Sequence, residues 1–283
     1  MMAAGIDQPL QRSFLERMAK ASQARVAIAE IACGMAEMRQ RAEQSTAPPP
    51  LILSDAGFDL IAEVKRRSPS EGTLTEPSAL AIDQAQAYVS GGATALSVLT
   101  EPSEFHGSLA DLQSVVAAGA AVPVLRKDFL VSPYQVLEAR AYGAAGVLLV
   151  AAILDRSLMQ EMLDCALELG MFVLLEVFDS AHLNHCMPVL ESVRPVFDGD
   201  RCRVLLGVNC RDLRSLEVNF NNFAEIAPQL PGTIPWVAES GITDAVQVRA
   251  VSGLGYRLAL VGTSLMRSAD PAAAVRALCM AGR

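Results

Sequence analysis

The chain has 283 residues and a net charge of −8, with 31 Asp and Glu against 23 Lys and Arg and a pI near 5.0. Hydrophobic residues make up 52%, ample for one large folded core, so general disorder is excluded. The acidic balance argues against binding nucleic acid or an anionic membrane, and leaves room for a small anion at a local cationic site.

Residues 1–11 show no basic region followed by an apolar core, so no secretory signal is expected. The longest uncharged apolar run, 141–154, contains glycines and is shorter than the ~20 residues of a membrane-spanning helix. Cysteines 33, 165, 186, 202, 210 and 279 form no C-x-x-C pair and no zinc-type spacing, which fits free thiols in a reducing compartment. A soluble cytoplasmic protein is expected. Residues 10–44 are rich in Ala, Glu, Arg and Met, with Phe14, Met18, Ile28, Ile31, Met35 and Met38 at loose helical intervals, and predict one or two helices. The stretch Ser45-Thr46-Ala47-Pro48-Pro49-Pro50 then stops any helix, so residues 1–50 read as a helical extension and linker packed on residues 51–283.

From Phe58 onward, short apolar runs recur near Ile61, Leu96, Val124, Leu148, Leu174, Leu206, Val237 and Leu260, each followed by a longer amphipathic stretch. The mean spacing of about 28 residues is that of βα repeats, and eight of them predict an α/β protein, a closed (β/α)8 TIM barrel with an N-terminal helical extension. Helix signals fall between the runs: Pro77 opening 77–90, Ser108 capping 108–118, Pro133 opening 133–142, Asp155 before 156–169, and Asp270-Pro271 starting the last. Gly92, Gly119, Gly143 and Gly170 close the intervening helices. An open doubly wound sheet would need a glycine-rich loop after the first strand, and Arg66-Arg67-Ser68-Pro69-Ser70 is no G-x-G-x-x-G. The stretch from Cys186 to Arg203, with Pro188, Pro195, Asp198 and Gly199, predicts an irregular insertion on the N-terminal face, before the sixth strand.

In such barrels the active site lies at the C-terminal strand ends, and this chain places charge there repeatedly. Strand one carries Glu63 and Lys65, which alternation puts on one face of a buried run; strand three carries Lys127, strand five Glu176, strand six Asn209 and Arg211, strand seven Glu239. Singly, each is an ordinary strand end reaching water, a helix cap or a structural ion pair. Jointly, Lys65, Lys127 and Arg211 against Glu63 and Glu176, with Glu239 as a third carboxylate if it reaches in, suit an anionic ligand. Ser240-Gly241 and Gly262-Thr263 follow the last two strands, where backbone N–H groups bind phosphate in many barrels. His182 and His185 resemble a ligand pair but lack a third ligand, so surface residues are expected. His106 reads as a loop histidine at the rim. Cys210 should face outward and is not assigned as a nucleophile.

The runs Ile61-Ala62-Glu63-Val64-Lys65 with Ser68-Pro69-Ser70-Glu71-Gly72, Leu96 to Glu101, Pro123 to Phe129, Gly207 to Leu213, Glu239 to Ile242 and Val261 to Arg267 stand in one order, and together they resemble the motifs of indole-3-glycerol phosphate synthase. The resemblance covers about residues 58–280 and is not matched before residue 50. It implies a phosphate-binding barrel of tryptophan biosynthesis. The reaction implied is closure of the indole ring of 1-(2-carboxyphenylamino)-1-deoxyribulose 5-phosphate with loss of CO2 and water, without metal or organic cofactor. The implied roles are Lys127 as general acid, Glu176 as acid/base partner in dehydration, Glu63 as a second carboxylate near the leaving hydroxyl, and Lys65 and Arg211 as anion holders. Asn209 would bind a hydroxyl, Glu239 and Ser68 would contact substrate, and Ser240, Gly241, Gly262 and Thr263 would cradle the phosphate. Phe105, Phe129, Leu148, Leu213 and Leu216 would wall the anthranilate ring.

Flanked by Lys65 and Arg211, Lys127 is expected to have a lowered pKa. Cys210, Ala238 and His106 depart from the residues more usual in this family, and His106 would alter the mouth of the ring pocket. A paralogue acting on a modified substrate is therefore one alternative reading, and a non-catalytic phosphate-ligand barrel another. Phosphoribosylanthranilate isomerase fits less well, because that family uses a Cys where this chain has Glu63 and Lys65. Oligomeric state is not legible.

Overall fold

The computed structural model describes residues 8–55, 57–68, 72–73, 79–118, 121–193, 195–212 and 217–283. Eight parallel strands close a barrel: β1 (Asp59–Val64), β2 (Ala95–Leu99), β3 (Val124–Lys127), β4 (Gly146–Val150), β5 (Phe172–Val177), β6 (Val204–Asn209), β7 (Trp236–Glu239) and β8 (Leu258–Val261). Each pairs with its sequence neighbours, and Ile61 of β1 stands in register with both Ala95 and Leu260. All eight predicted centres lie inside these strands.

Period-two alternation divides the strands into two packed layers. Ile61, Leu125, Leu148, Leu174, Val237 and Leu260 point inward and form one cluster, while Leu60, Ala62, Leu96, Val147, Val208 and Ala259 point outward into a larger cluster with the helices. Both faces are buried, which is why the strands read as continuous apolar runs. The bottom is tied by Asp59, which accepts from Thr94 Oγ1 at 2.8 Å and Ser54 N at 3.1 Å and lies 3.6 Å from Arg257 Nη2.

The helices are α1 (Gln8–Ala32), α2 (Met35–Gln44), α3 (Ala79–Gly91), α4 (Leu109–Ala117), α5 (Pro133–Ala141), α6 (Arg156–Glu168), α7 (Ser180–Ser192), α8 (Asn222–Ile226), α9 (Ala245–Gly253), α10 (Thr263–Met266) and α11 (Pro271–Ala281). The predicted caps act as expected: Ser108 accepts from Asp111 N, Asp155 from Leu158 N and Asp270 from Ala273 N, while Pro133 opens α5. Pro77 and Gly119 lie outside the described residues. The expected irregular insertion is more ordered than the sequence suggests. Helix α7 runs through Pro188 to Ser192, and a short antiparallel hairpin (Phe197–Asp198 with Arg201–Cys202) follows and pairs back through Cys202 N to Leu51 O.

Helix α2 packs on α5, and α1 meets α5 and the turn that follows β4. Phe14, Met18 and Met38 are buried, whereas Ile28, Ile31 and Met35 of the same loose pattern are exposed. Tyr134 Oη donates to Ala29 O and Cys33 O, and Gln135 Nε2 donates to Ser22 Oγ, so buried polar groups of α5 find partners in α1 and in the turn after it. No described helix is long and apolar enough to cross a membrane.

Candidate active site

The inward positions just above the apolar layer are charged. Glu63, Glu176, Asn209 and Glu239 are buried at 3%, 3%, 8% and 1% exposure, and with Lys65, Lys127 and Arg211 they line a cavity of about 630 Å³ at the C-terminal mouth. Glu63 sits between two lysines, with Oε1 2.9 Å from Lys65 Nζ and Oε2 3.6 Å from Lys127 Nζ. Burial would raise the Glu63 pKa, but Lys65 and then Lys127 outweigh it, so the carboxyl titrates below its ordinary value. Asn209 Nδ2 donates to Glu176 Oε2 at 3.0 Å, while Asn209 Oδ1 accepts from Arg211 N.

Lys127 does not have the lowered pKa expected from its cationic neighbours. Burial pulls it down, yet Glu63, Glu176 and Glu239 together hold it above the ordinary lysine value. The expected charge balance had a cationic surplus because it left Glu239 optional. In the fold Glu239 points inward, and it does so because Gly207 on the adjacent strand has no side chain: a Cβ there would overlap Glu239 Oε1. Neither Glu239 oxygen meets a hydrogen-bond donor among the described residues. Burial first, and then the neighbouring Glu176, hold its pKa well above the usual carboxyl value, the opposite direction from Glu63.

One side of the cavity is apolar. Phe105, Phe129 and Leu148 line it as predicted, with the two rings 6.4 Å apart. Sequence reasoning missed Phe14, which reaches over from α1 to meet Phe129 edge-on at 6.1 Å, with the Arg17 guanidinium 5.5 Å from its own ring. Its place in a loose helical pattern, well before the barrel's first strand at Asp59–Val64, carried no signal for a site. Phe178 and Val218 also line the cavity unpredicted.

The opposite side is built from two turns. Ser240 and Gly241 after β7 are both left-handed, at φ 67° and 70°, a rare setting for a serine. Gly262 opens α10 at Thr263, and a Cβ on Gly262 would overlap Glu63 Oε1 and stand 3.1 Å from Lys65 Nζ. Ser264 Oγ donates to Ile242 O at 3.3 Å and joins the turns, and Gln247 and Arg267 extend the lining beyond the predicted residues.

Other predicted residues separate. The Ser68 side chain, Leu213, Leu216 and the Pro69-Ser70 cover fall outside the described residues; the Ser68 backbone pairs with Gly72 in a short hairpin. His106 is exposed, does not line the cavity, and occupies a left-handed backbone at φ 56°. His182 Nδ1 lies 3.0 Å from Asp179 Oδ1 and His185 Nε2 lies 2.9 Å from Leu154 O. Cys210 faces outward as expected, its Sγ near Ser240 O, and burial pushes its thiol up to about 12.

Comparison with known proteins gives a consistent likeness. The family profile described as indole-3-glycerol phosphate synthase matches residues 15–278. The protein named indole-3-glycerol phosphate synthase in Mycolicibacterium smegmatis is 42% identical over 277 residues, and that in Mycobacterium tuberculosis 41% over 277, each alignment covering 95% of both chains. Among solved structures, 3-hexulose-6-phosphate synthase from Salmonella typhimurium aligns with a TM-score of 0.59 at 13% identity, over 79% of this chain and 97% of that one. Thiamine phosphate pyrophosphorylase from Pyrococcus furiosus aligns at 0.56 and 16%, over 79% and 95%. These two likenesses are of fold alone.

Proposed function

This chain belongs to the indole-3-glycerol phosphate synthase family, and we propose how the groups at its barrel mouth carry out that family's decarboxylating ring closure. Lys127 is the general acid. As the ring carbon bearing the carboxylate attacks the ketone carbon, Lys127 gives a proton to the ketone oxygen, which becomes a hydroxyl. The C–COO⁻ bond then breaks, CO2 leaves, and its electron pair restores the aromatic ring. In the dehydration Glu176 takes a proton from the carbon beside the anilino nitrogen while the hydroxyl departs as water, protonated from the lysine pair around Glu63. Arg211 and Lys65 hold the anionic groups, and Asn209 orients Glu176 and a substrate hydroxyl.

The observation that carries this reading is Glu63 between Lys65 and Lys127, because it keeps an acidic proton on Lys127 in a site that must first donate one. The phosphate is assigned to Ser240, Gly241, Gly262 and Thr263, whose turns present backbone N–H groups with the Ser240 and Gly241 backbone left-handed. The anthranilate ring is assigned to Phe105, Phe129 and Leu148, with Ser68, Leu213, Leu216 and Glu239 as further contacts. Every proton moves between side chains and substrate, so the scheme calls on no metal or organic cofactor. Residues 1–50 act as an extension of the 51–283 barrel, the acidic chain has no nucleic-acid or membrane partner, and the enzyme works in the cytoplasm.

The test is to mix the protein with 1-(2-carboxyphenylamino)-1-deoxyribulose 5-phosphate and follow indole absorbance together with CO2 release. Both are expected in equal amounts. Tight phosphate-dependent binding without indole would favour a binding barrel instead.

A further inference from the structure

Two buried carboxylates flank the aromatic side of the cavity, and each is spent on the backbone of a loop that carries a ring. Asp128 Oδ1 accepts from Phe129 N at 2.8 Å. Glu101 Oε2 accepts from Glu104 N at 2.7 Å and Phe105 N at 3.2 Å, and its Oε1 accepts from Ser103. The two acids come from different strand ends, which meet inside the barrel where Thr100 Oγ1 donates to Asp128 Oδ2 at 2.9 Å. Among the described residues one side chain reaches both carboxyls, and it comes from outside the barrel: Arg25 of α1 places Nη2 2.7 Å from Asp128 Oδ1 and Nη1 3.5 Å from Glu101 Oε1.

We propose that Arg25 is a positioning residue for the aryl pocket, a single guanidinium that fixes the spacing of Phe105 and Phe129 by bridging the acids that hold their loops. The proposal rests on the assignment of those rings to the anthranilate moiety. A lysine, with one point charge, cannot span two acids as a planar fork does. The same helix supplies Phe14 against Phe129, so the aryl wall is set from outside the barrel. Lys127, although it precedes Asp128, is held separately by Glu63, and the phosphate turns lie across the cavity on β7 and β8. Loss of Arg25 therefore loosens the ring contacts while leaving the acid and the phosphate cradle in place.

The test uses the full chain with Arg25→Ala and Arg25→Lys, well below the unfolding temperature. For Arg25→Ala, KM for the substrate is expected to rise roughly ten- to a hundredfold, with kcat changing far less. Affinity for indole-3-glycerol phosphate falls in parallel, while affinity for glycerol phosphate, which has no ring, is unchanged. Guanidinium ion restores KM in Arg25→Ala, entering the cavity of about 240 Å³ beside Thr100, Tyr134 and Glu138. A lowered melting temperature with KM and both affinities unchanged would overturn the proposal, as would equal loss for the two ligands. If Arg25→Ala does not fold, Arg25→Lys reads the same split, with a smaller rise in KM expected and an unchanged KM overturning it. Wild-type protein that forms no indole would refute the catalytic assignment, while the split between the two ligands still decides the role of Arg25.

Discussion

Lys127 Nζ lies 3.6 Å from Glu63 Oε2, and each group favours the charged form of the other. A buried lysine among carboxylates is a strong holder of its proton, not a weak one. The acid is thus supplied by charge placed across the barrel, and substrate must draw Lys127 away from Glu63 to be protonated.

Lys127→Ala is therefore expected to lower kcat by ~10²-fold or more while leaving KM and the fold nearly unchanged. Steady-state kinetics with a thermal melt check this. Turnover near the wild-type rate would refute the assignment of the acid.

Glu239 makes the opposite pH statement. Its folded pKa is raised, so below the ordinary carboxyl value of 4.5 the folded and unfolded chains both carry the proton and nothing is lost. As pH rises above that value the unfolded chain releases the proton first, and stability falls until the folded pKa is passed. Glu239→Gln removes this titration. Urea unfolding at pH values rising above the ordinary carboxyl range should show the variant gaining on the wild type until the folded pKa is passed. A pH-independent difference would mean Glu239 is not protonated in the fold.

The strands, their inward faces and the pairing of Glu63 with Lys65 were legible because period-two alternation and the βα spacing are local properties of the chain. What was not legible depended on neighbours across the barrel. Lys127 was misjudged because Glu63, Glu176 and Glu239 reach it from three other strands. Glu239 stayed optional because its inward path is opened by an absent side chain at Gly207. Phe14 and Arg25 were invisible as site residues because an amphipathic helix shows which face packs, not which loops it packs against.

Gly207→Ala tests that absent side chain. The added methyl meets the Glu239 carboxyl and stands 3.1 Å from Leu174 Cδ1, both on the crowded barrel interior. A cost of about 1–3 kcal/mol is expected, together with a fall in kcat as Glu239 and Glu176 are displaced. Denaturant unfolding and kinetics check it. An unchanged kcat would show that the Glu239 position does not matter to the chemistry.

Gly262→Ala joins the phosphate turn to the ion pair in one measurement. The new Cβ would overlap Glu63 Oε1 and stand 3.1 Å from Lys65 Nζ, so either the α10 turn moves out or the Glu63–Lys65 pair opens. The first outcome raises KM through the phosphate, and the second lowers kcat through Lys127. In either case kcat/KM should fall by roughly ten- to a hundredfold. Gly253→Ala at the end of α9 is the control, since nothing lies within 4 Å of a Cβ there. It is expected to leave both constants unchanged and to alter stability by no more than about 1 kcal/mol. The ratio of glycerol phosphate affinity to kcat in Gly262→Ala then tells which of the two groups yields, and equal kinetics in the two variants would break the link between the cradle and the lysine pair.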